Sequence, residues 1–193
     1  MARPQEFKTS EVLRNAMHVF WSKGYEATSL NDILDATGLS KSSLYASFGD
    51  KRALFLAAFN AYRKERLRHL HLILNDGQPA RLSIENFFRQ VLARSPDDTS
   101  SKGCMTANEA VELAPHDGEI QQIVAEDFKS IEDVFAQTID RGQSEGSIAS
   151  QVAPHTLARF LVVGLQGLEV MARAKSDRAQ LDETVTVMMT VLD

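Results

Sequence analysis

The chain has 193 residues, of which 44% are hydrophobic and 24% are charged, an ordinary globular composition that argues against a disordered or low-complexity protein. Its single cysteine, Cys104, excludes an intramolecular disulfide and a four-thiolate metal site, and it fits a reducing compartment. No apolar run reaches the roughly 18 residues of a membrane span, and residues 1–8 lack the apolar part of a signal peptide. We therefore expect a soluble, cytoplasmic protein.

The net charge of −5 is unevenly distributed along the chain. Residues 1–70 contain 11 Lys and Arg against 7 Asp and Glu, whereas the remainder contains 10 against 19. A basic N-terminal part joined to an acidic body favours nucleic-acid binding by the first part, although chance clustering of surface charges is the simpler alternative.

Four helices are predicted in the N-terminal part, because apolar residues recur with the 3.6-residue period of an α-helix and no segment alternates as a strand does. The first covers about residues 10–23. The second is short, capped by Ser29 in a capping-box-like pattern, and ends near Gly38. The third begins after Ser40, and a Gly-Asp break separates it from a long fourth helix that extends to about residue 75.

Five further helices complete a predicted all-α fold of about nine helices. They cover about residues 81–94, a short stretch that ends near 113, then 117–144, 160–172 and 178–192, with a polar surface loop at 95–101. The last two helices carry more apolar surface than one core face needs. We therefore predict an isologous homodimer through these helices, with Gly164 and Gly167 allowing close backbone approach; the alternative is burial within the monomer.

Residues 29–48 have the layout of a helix-turn-helix: a short capped helix, a glycine-containing turn and a second short helix. In the second helix, Leu44 and Phe48 are four residues apart and share the inward face. Short, hydroxylic and cationic side chains on the other faces allow a helix to lie close to base edges and phosphates. These groove-facing candidates are Lys41, Ser42, Tyr45 and Ala46.

Two runs of residues resemble the N-terminal signature of the TetR family of bacterial transcriptional regulators. They are Gly24-Tyr25-x-x-Thr28-Ser29-Leu30-x-Asp32-Ile33 and Thr37-Gly38-Leu39-Ser40-Lys41-x-Ser43-Leu44-Tyr45-x-x-Phe48-x-x-Lys51-x-x-Leu54-Phe55. The signature covers about the first quarter of the chain. The resemblance implies a helix-turn-helix DNA-binding domain over residues 1–50 and a helical ligand-binding and dimerisation domain over residues 51–193.

The same resemblance implies roles for individual residues at a palindromic, double-stranded operator. Thr28 or Ser29, together with Tyr45 and Lys51, would contact phosphates, and Lys41 and Ser42 would face bases. Many members of the family have a second aromatic residue and a histidine after the tyrosine, where this chain has alanine and serine, so its base preference is not inferable. The complete predicted DNA-binding set is Thr28, Ser29, Lys41, Ser42, Ser43, Tyr45, Ala46, Ser47 and Lys51.

A small-molecule site among the middle helices is also implied by the resemblance. Its candidate lining is Phe88, Cys104, Met105, Asn108, Phe128 and Gln166, each with a simpler reading as core. The run Gly103-Cys104-Met105-Thr106 is similar to the Gly-Cys segment of the bacterial N-ethylmaleimide-responsive repressor, an electrophile sensor of that family. A thiol near a helix N-terminus can have a lowered pKa and become reactive, whereas a buried free cysteine is usually inert.

The predicted function is repression of transcription that is relieved when a small-molecule inducer releases the dimer from its operator, where the protein would be associated with the nucleoid. Two alternatives remain open: a redox or electrophile sensor acting through Cys104, and a DNA-bound protein-interaction module without a small-molecule ligand. No phosphate-binding loop, nucleophile motif or metal-ligand spacing is found, so we expect no enzyme, cofactor or metal site. Glu109 and Glu112, three residues apart, are interpreted as solvated helix charges.

Overall fold

The computed structural model describes residues 3–93, 102–174 and 176–193, with side chains from residue 9 onward. These residues form nine α-helices and contain no strand, which confirms the predicted all-α class. The helices are α1 (Arg3–Lys23), α2 (Leu30–Thr37), α3 (Lys41–Phe48), α4 (Lys51–Leu74), α5 (Ala80–Ala93), α6 (Met105–Glu112), α7 (Gly118–Glu145), α8 (Pro154–Arg173) and α9 (Arg178–Met189), followed by a 3₁₀ turn (Thr190–Leu192). None of the described helices is long and apolar enough to cross a membrane.

The short helices of the N-terminal part begin and end at the capping residues that the sequence predicts. The Ser29 hydroxyl accepts from the backbone amide of Asp32, and the Asp32 carboxylate accepts from the backbone amide of Ser29, so α2 has a complete capping box. Gly38 ends α2 in the left-handed conformation, with φ of 68°. Ser40 caps α3 by accepting from the backbone amide of Ser43 at 3.1 Å. The short connection between α2 and α3 therefore holds the two helices as a helix-turn-helix.

Two hydrophobic clusters form the core, and α4 contributes to both. The first cluster lies beneath the helix-turn-helix and consists of Ala16, Phe20, Ile33, Leu44, Leu54, Phe55, Ala58, Phe59, Tyr62, Met105, Leu113, Ile120 and Val124. The second cluster lies in the body and joins Leu70 and Leu74 of α4 to buried residues of α5, α7, α8 and α9. The first cluster contains residues from both sides of the predicted domain boundary at residue 50. The division into domains 1–50 and 51–193 stays a prediction.

Three details differ from the sequence-based expectations. Helix α1 begins at Arg3 instead of Ser10, and α8 begins at Pro154 instead of near residue 160. The start of α8 was missed because its first turn carries polar, exposed side chains, although proline at the first helical position is itself a helix-start signal. The third difference concerns the last predicted helix, whose final residues form the 3₁₀ turn. The predicted loop at 95–101 lies outside the described residues.

The two glycines of α8 have different surroundings. A Cβ atom on Gly164 would lie 2.2 Å from the Cε atom of Met188, so this glycine allows α8 to approach α9 within the same chain. A Cβ atom on Gly167 would have no neighbour within 4 Å. Gly164 therefore packs against α9 of its own chain, whereas Gly167 lies on an open face, and close approach between subunits at these glycines stays a prediction.

Candidate nucleic-acid interface

Helix α3 presents its polar side chains on a continuous exposed surface. Leu44 is fully buried and Phe48 is half-buried against the first cluster, so these two residues anchor the helix. Tyr45 is 46% exposed. The structure brings the remaining predicted residues of the helix together on the solvent side, all of them exposed: Lys41, Ser42, Ser43, Ala46 and Ser47.

The two candidates for a phosphate contact before α2 are placed differently. Thr28 is 1% exposed, and its hydroxyl donates to the carbonyl oxygen of Gly24 at 2.6 Å. Ser29 is exposed at the N-terminus of α2, where backbone amides favour an anion. Of the two candidates, Ser29 has the exposed side chain, although its hydroxyl donates to the Asp32 carboxylate at 2.8 Å, and a phosphate contact by either residue stays a prediction.

The basic residues near the helix-turn-helix have distinct partners. The Lys23 ammonium group donates to Asp32 at 2.5 Å, and this contact, with those from Ser29, lowers the pKa of Asp32 to about 2. The Lys51 ammonium group lies 4.3 Å from the centroid of the Tyr25 ring, a cation–π contact at the start of α4. Lys51 is thus held next to the turn that leads into α2.

Arg52, next to Lys51 in the sequence, faces the body. Its guanidinium donates to Asp117 at 2.5 and 3.2 Å and to Glu119 at 2.6 Å. Asp117 also caps α7, accepting from the backbone amides of Glu119 and Ile120. This ion-pair cluster attaches the start of α4 to the start of α7.

A buried network that the sequence did not reveal joins α4, α6 and α7. Asp127 of α7 is 2% exposed, and its carboxylate lies 2.6 Å from a guanidinium nitrogen of Arg66 and 3.3 Å from one of Arg63. The same carboxylate accepts from the hydroxyl of Thr106 at 2.7 Å. Two arginines of the apparently solvated basic run in α4 therefore point inward and neutralise one buried aspartate.

The Cys104 thiol is buried beside this network. Its sulfur contacts the Arg66 guanidinium and lies 3.8 Å from the hydroxyl oxygen of Tyr62. Burial, followed by the negative charge of Glu169, raises the pKa of Cys104 to about 11. Of the two alternatives for Cys104, the structure therefore favours the buried, inert thiol over a reactive thiolate, because the cost of burying a thiolate exceeds the effect of the nearby cation.

The spacing of Glu109 and Glu112 in α6 suggested that both are solvated, but the structure shows that they are not. Glu109 is 1% exposed, and burial, together with the charge of Glu112, raises its pKa to about 8. Glu112 is half-buried, and its carboxylate accepts from the backbone amide of Glu26 at 2.9 Å. Sequence spacing could not identify this contact, because its partner is 86 residues away in the chain.

The six candidate ligand-binding residues do not line one cavity. Phe88 is buried in the second cluster and Met105 in the first. Asn108 donates to the carbonyl oxygen of Lys102 and accepts from Arg173. Phe128 and Gln166 share the lining of one cavity.

These two residues line a groove of about 430 Å³ between α7 and α8. Val162 contributes apolar surface, while Glu132 and Arg159 contribute charge. A separate cavity among α4, α5, α7 and α8 measures only about 30 Å³. Of these two cavities, the groove between α7 and α8 has the larger volume.

A capped helix-turn-helix with an exposed polar second helix, joined by one long helix to an all-α body, defines the class of two-domain DNA-binding regulators. Residues 12–58 match the family model described as bacterial regulatory proteins, tetR family. Residues 80–188 match the model of the tetracyclin repressor-like C-terminal domain. The chain belongs to the TetR family and is a DNA-binding transcriptional regulator, which confirms the resemblance seen in its sequence.

Relatives match the chain along nearly its whole length. The HTH-type transcriptional regulator YezE of Bacillus subtilis is 32% identical over 194 residues, which cover 100% of both chains. The HTH-type transcriptional repressor ComR of Escherichia coli is 28% identical, over 98% of this chain and 90% of its own. A cysteine mutant of the TetR family regulator CifR, solved in complex with a 26-bp operator duplex, superposes with a TM-score of 0.83 at 28% identity, over 95% of this chain and 96% of its own.

Proposed function

We propose that the protein is a repressor that binds a palindromic operator as a homodimer in the bacterial cytoplasm and leaves it when a small molecule binds the body. The observation that carries the proposal is the position of α4, which contributes buried residues to both hydrophobic clusters. A displacement of α4 near Leu70 would therefore move Lys51 and the helix-turn-helix. Coupling free energies of this kind are typically about 1 to 3 kcal/mol. We assign the protein no catalytic role.

Exposed apolar side chains support the homodimer. Phe160, Val163, Val170 and Met171 of α8 are exposed, as is Val187 of α9. Contiguous apolar surface on two adjacent helices favours a protein partner, and a two-fold dimer pairs the same surface on both subunits. In such a dimer the two α3 helices would bind successive major grooves about 34 to 36 Å apart.

The groove between α7 and α8 supports a small-molecule site. Its volume of about 430 Å³ falls within the usual range for ligand pockets, about 300 to 1,000 Å³. Both polar atoms of the Gln166 side-chain amide are buried there without a hydrogen-bond partner among the described residues. Buried polar groups are nearly always hydrogen-bonded, so a ligand that donates to and accepts from this amide would satisfy it.

DNA-binding measurements on two α3–α4 variants test the proposal. A duplex enriched from a random pool by the unaltered protein serves as the specific probe, and a shuffled duplex serves as its control. Lys51→Ala should weaken binding to both duplexes alike and reduce the log–log salt slope by about 0.9 for each phosphate that the lysine neutralises. Ser42→Ala should instead change the preference between the duplexes. Equal effects of the two variants on both probes would contradict the assigned roles.

The inducer requires a separate titration. Compounds that bind the purified protein should lower its affinity for the enriched duplex, and Gln166→Leu should weaken their binding. Binding that leaves DNA affinity unchanged would eliminate induction. No observation favours sensing through Cys104, because its thiol is buried and the pKa is raised. Release of DNA by quinones or hypochlorite from the unaltered protein, but not from Cys104→Ser, would reverse this conclusion.

A further inference from the structure

One side chain of the body reaches the turn between α1 and α2. Glu112 stands at the last position of α6, and its Oε1 atom accepts from the backbone amide of Glu26 at 2.9 Å. Hydrogen bonds to a charged acceptor are roughly twice as strong as neutral ones. This contact therefore attaches the DNA-binding part to α6 at a defined atom of the backbone.

The turn is shaped to admit this carboxylate. Gly24 has φ of +82°, in the left-handed region that favours glycine. A Cβ atom at this position would lie 2.5 Å from Oε2 of Glu112 and 2.9 Å from Oε1. Both oxygens of Glu112 thus lie against the backbone of the turn, one as a hydrogen-bond acceptor and both in close contact with Gly24.

The same turn touches two of the candidates for phosphate contact. The ring of Tyr25 lies beneath the Lys51 ammonium group, 4.3 Å from ring centroid to nitrogen. The hydroxyl of Thr28 donates to the carbonyl oxygen of Gly24 at 2.6 Å, and the next residue, Ser29, caps α2. A change in the backbone of this turn would therefore displace Lys51 and Ser29 together.

We propose that Glu112 is a positioning residue for DNA binding, which sets the turn from Gly24 to Thr28 and thereby the phosphate contacts of Ser29 and Lys51. The inference rests on the proposed function, since it assigns a role in binding DNA. The negative charge of Glu112 repels phosphates and so by itself weakens DNA binding. Its favourable contribution therefore comes from the geometry that it gives to the turn.

The other end of α6 links this role to the body. Thr106, in the first turn of α6, donates to the buried carboxylate of Asp127. Helix α6 has only eight residues and spans about 12 Å at 1.5 Å per residue. A shift of the network around Asp127 would therefore be transmitted along α6 to Glu112 and the turn.

Two conservative variants separate geometry from charge. Glu112→Asp keeps the negative charge but shortens the side chain by one methylene, so it cannot reach the Glu26 amide from the same backbone position. Glu112→Gln removes the charge but keeps the length and an acceptor oxygen. Glu126→Gln, at an exposed site on α7, is the control for the change in net charge. Each full-length protein is measured on the duplex enriched by the unaltered chain, at 50 and 200 mM salt.

We expect Glu112→Asp to reduce both affinity and salt dependence, whereas Glu112→Gln and Glu126→Gln keep both. Removing one phosphate interaction from each subunit of a dimer lowers the log–log slope by about 1.8, so the ratio of Kd at 200 mM to Kd at 50 mM falls about 12-fold. A variant that is only less stable would contain less folded protein, but its folded molecules would show the unaltered log–log salt slope of DNA binding. An unchanged slope in Glu112→Asp, or an equal reduction in Glu112→Gln, would overturn the proposal.

Hydrogen exchange tests the contact independently of DNA. The Glu26 amide should exchange faster in Glu112→Asp than in the unaltered chain, and at nearly the original rate in Glu112→Gln. Identical rates in all three proteins would also overturn the proposal. If the unaltered protein enriches no duplex from the pool, the proposed function fails, and the exchange rates still decide whether Glu112 holds the turn.

Discussion

The substitution Asp127→Asn tests the buried network that joins α4, α6 and α7. The aspartate is 2% exposed and is the common partner of Arg63, Arg66 and Thr106. An asparagine preserves the shape and one acceptor oxygen but removes the negative charge that Arg63 and Arg66 share, so that Arg66 keeps only the more distant charge interactions such as that with Glu169. Removing one member of a buried ion pair costs about 3 to 5 kcal/mol, so we expect a decrease of this size in the free energy of unfolding.

Urea and thermal unfolding followed by circular dichroism measure the effect. At about 2 to 4 °C per kcal/mol for a chain of this size, the midpoint should fall by about 6 to 20 °C. Protein concentration must be equal in all samples, because dimer formation makes the midpoint depend on it.

A matched control on the same helix is Asp133→Asn. This aspartate pairs with Lys129 at 3.0 Å near the surface, where such a pair contributes at most about 1 kcal/mol. The double variant Asp127→Leu with Arg66→Met should recover part of the stability that Asp127→Asn removes, because apolar groups of similar volume can replace a buried pair. If Asp127→Asn is no less stable than the control, the arginines are solvated and the network is not a stabilising element.

Three further predictions follow from single sites. Iodoacetamide at pH 8 should alkylate Cys104 about 100-fold more slowly in the folded protein than in urea, since burial raises its pKa from 9.0 to about 11 and only the thiolate reacts; equal rates would exclude this environment. The Glu109 carboxyl binds its proton more tightly when folded, so stability should fall as the pH rises from 4.5 toward about 8; Glu109→Gln should flatten this dependence in urea unfolding, and Glu183→Gln should not. Gly24→Ala should lower the free energy of unfolding by at least about 1 to 2 kcal/mol because of its left-handed backbone, and by more because the new methyl group would meet the Glu112 carboxylate. Adding Glu112→Ala should remove this second part of the loss. If the effects of the two substitutions on the free energy of unfolding simply add, the carboxylate does not press on the turn.

Local signals in the sequence were sufficient for most of the fold. The Ser29–Asp32 capping box, the stop at Gly38 and the apolar stripe of α4 each depend on residues a few positions apart, so the pattern contains all the information needed. The start of α8 was missed because a polar first turn interrupts the apolar period. The exposed residues of α3 were predicted for the same local reason, since the inward face is fixed by the spacing of Leu44 and Phe48.

The contacts between the two parts of the protein were not predictable in this way. Arg66 and Asp127 are 61 residues apart in the chain. Each lies among other charged residues, so the sequence suggests exposed side chains at both positions. Glu109 and Glu112 likewise occupy one face of a short helix, but the packing of α6 against α4 and α7 decides that one is buried and the other reaches a backbone amide. Such distinctions depend on tertiary packing, which period and charge alone do not specify.

Two of the links between the DNA-binding part and the body, the apolar core along α4 and the Glu112 hydrogen bond, differ in physical character, and this difference bears on regulation. Helix α4 joins the two hydrophobic clusters by apolar contacts, which are non-directional and tolerate small shifts. It is also held to α7 by the ion pairs of Arg52 with Asp117 and of Arg66 with Asp127. Glu112 is attached by a directional hydrogen bond to one amide, which a shift of about 1 Å would break. A hydrogen bond to a charged group contributes about 1.5 to 3 kcal/mol, close to the whole coupling free energy expected of an allosteric protein. A small movement of α6 relative to α4 would therefore suffice to change DNA affinity while both hydrophobic clusters remain intact.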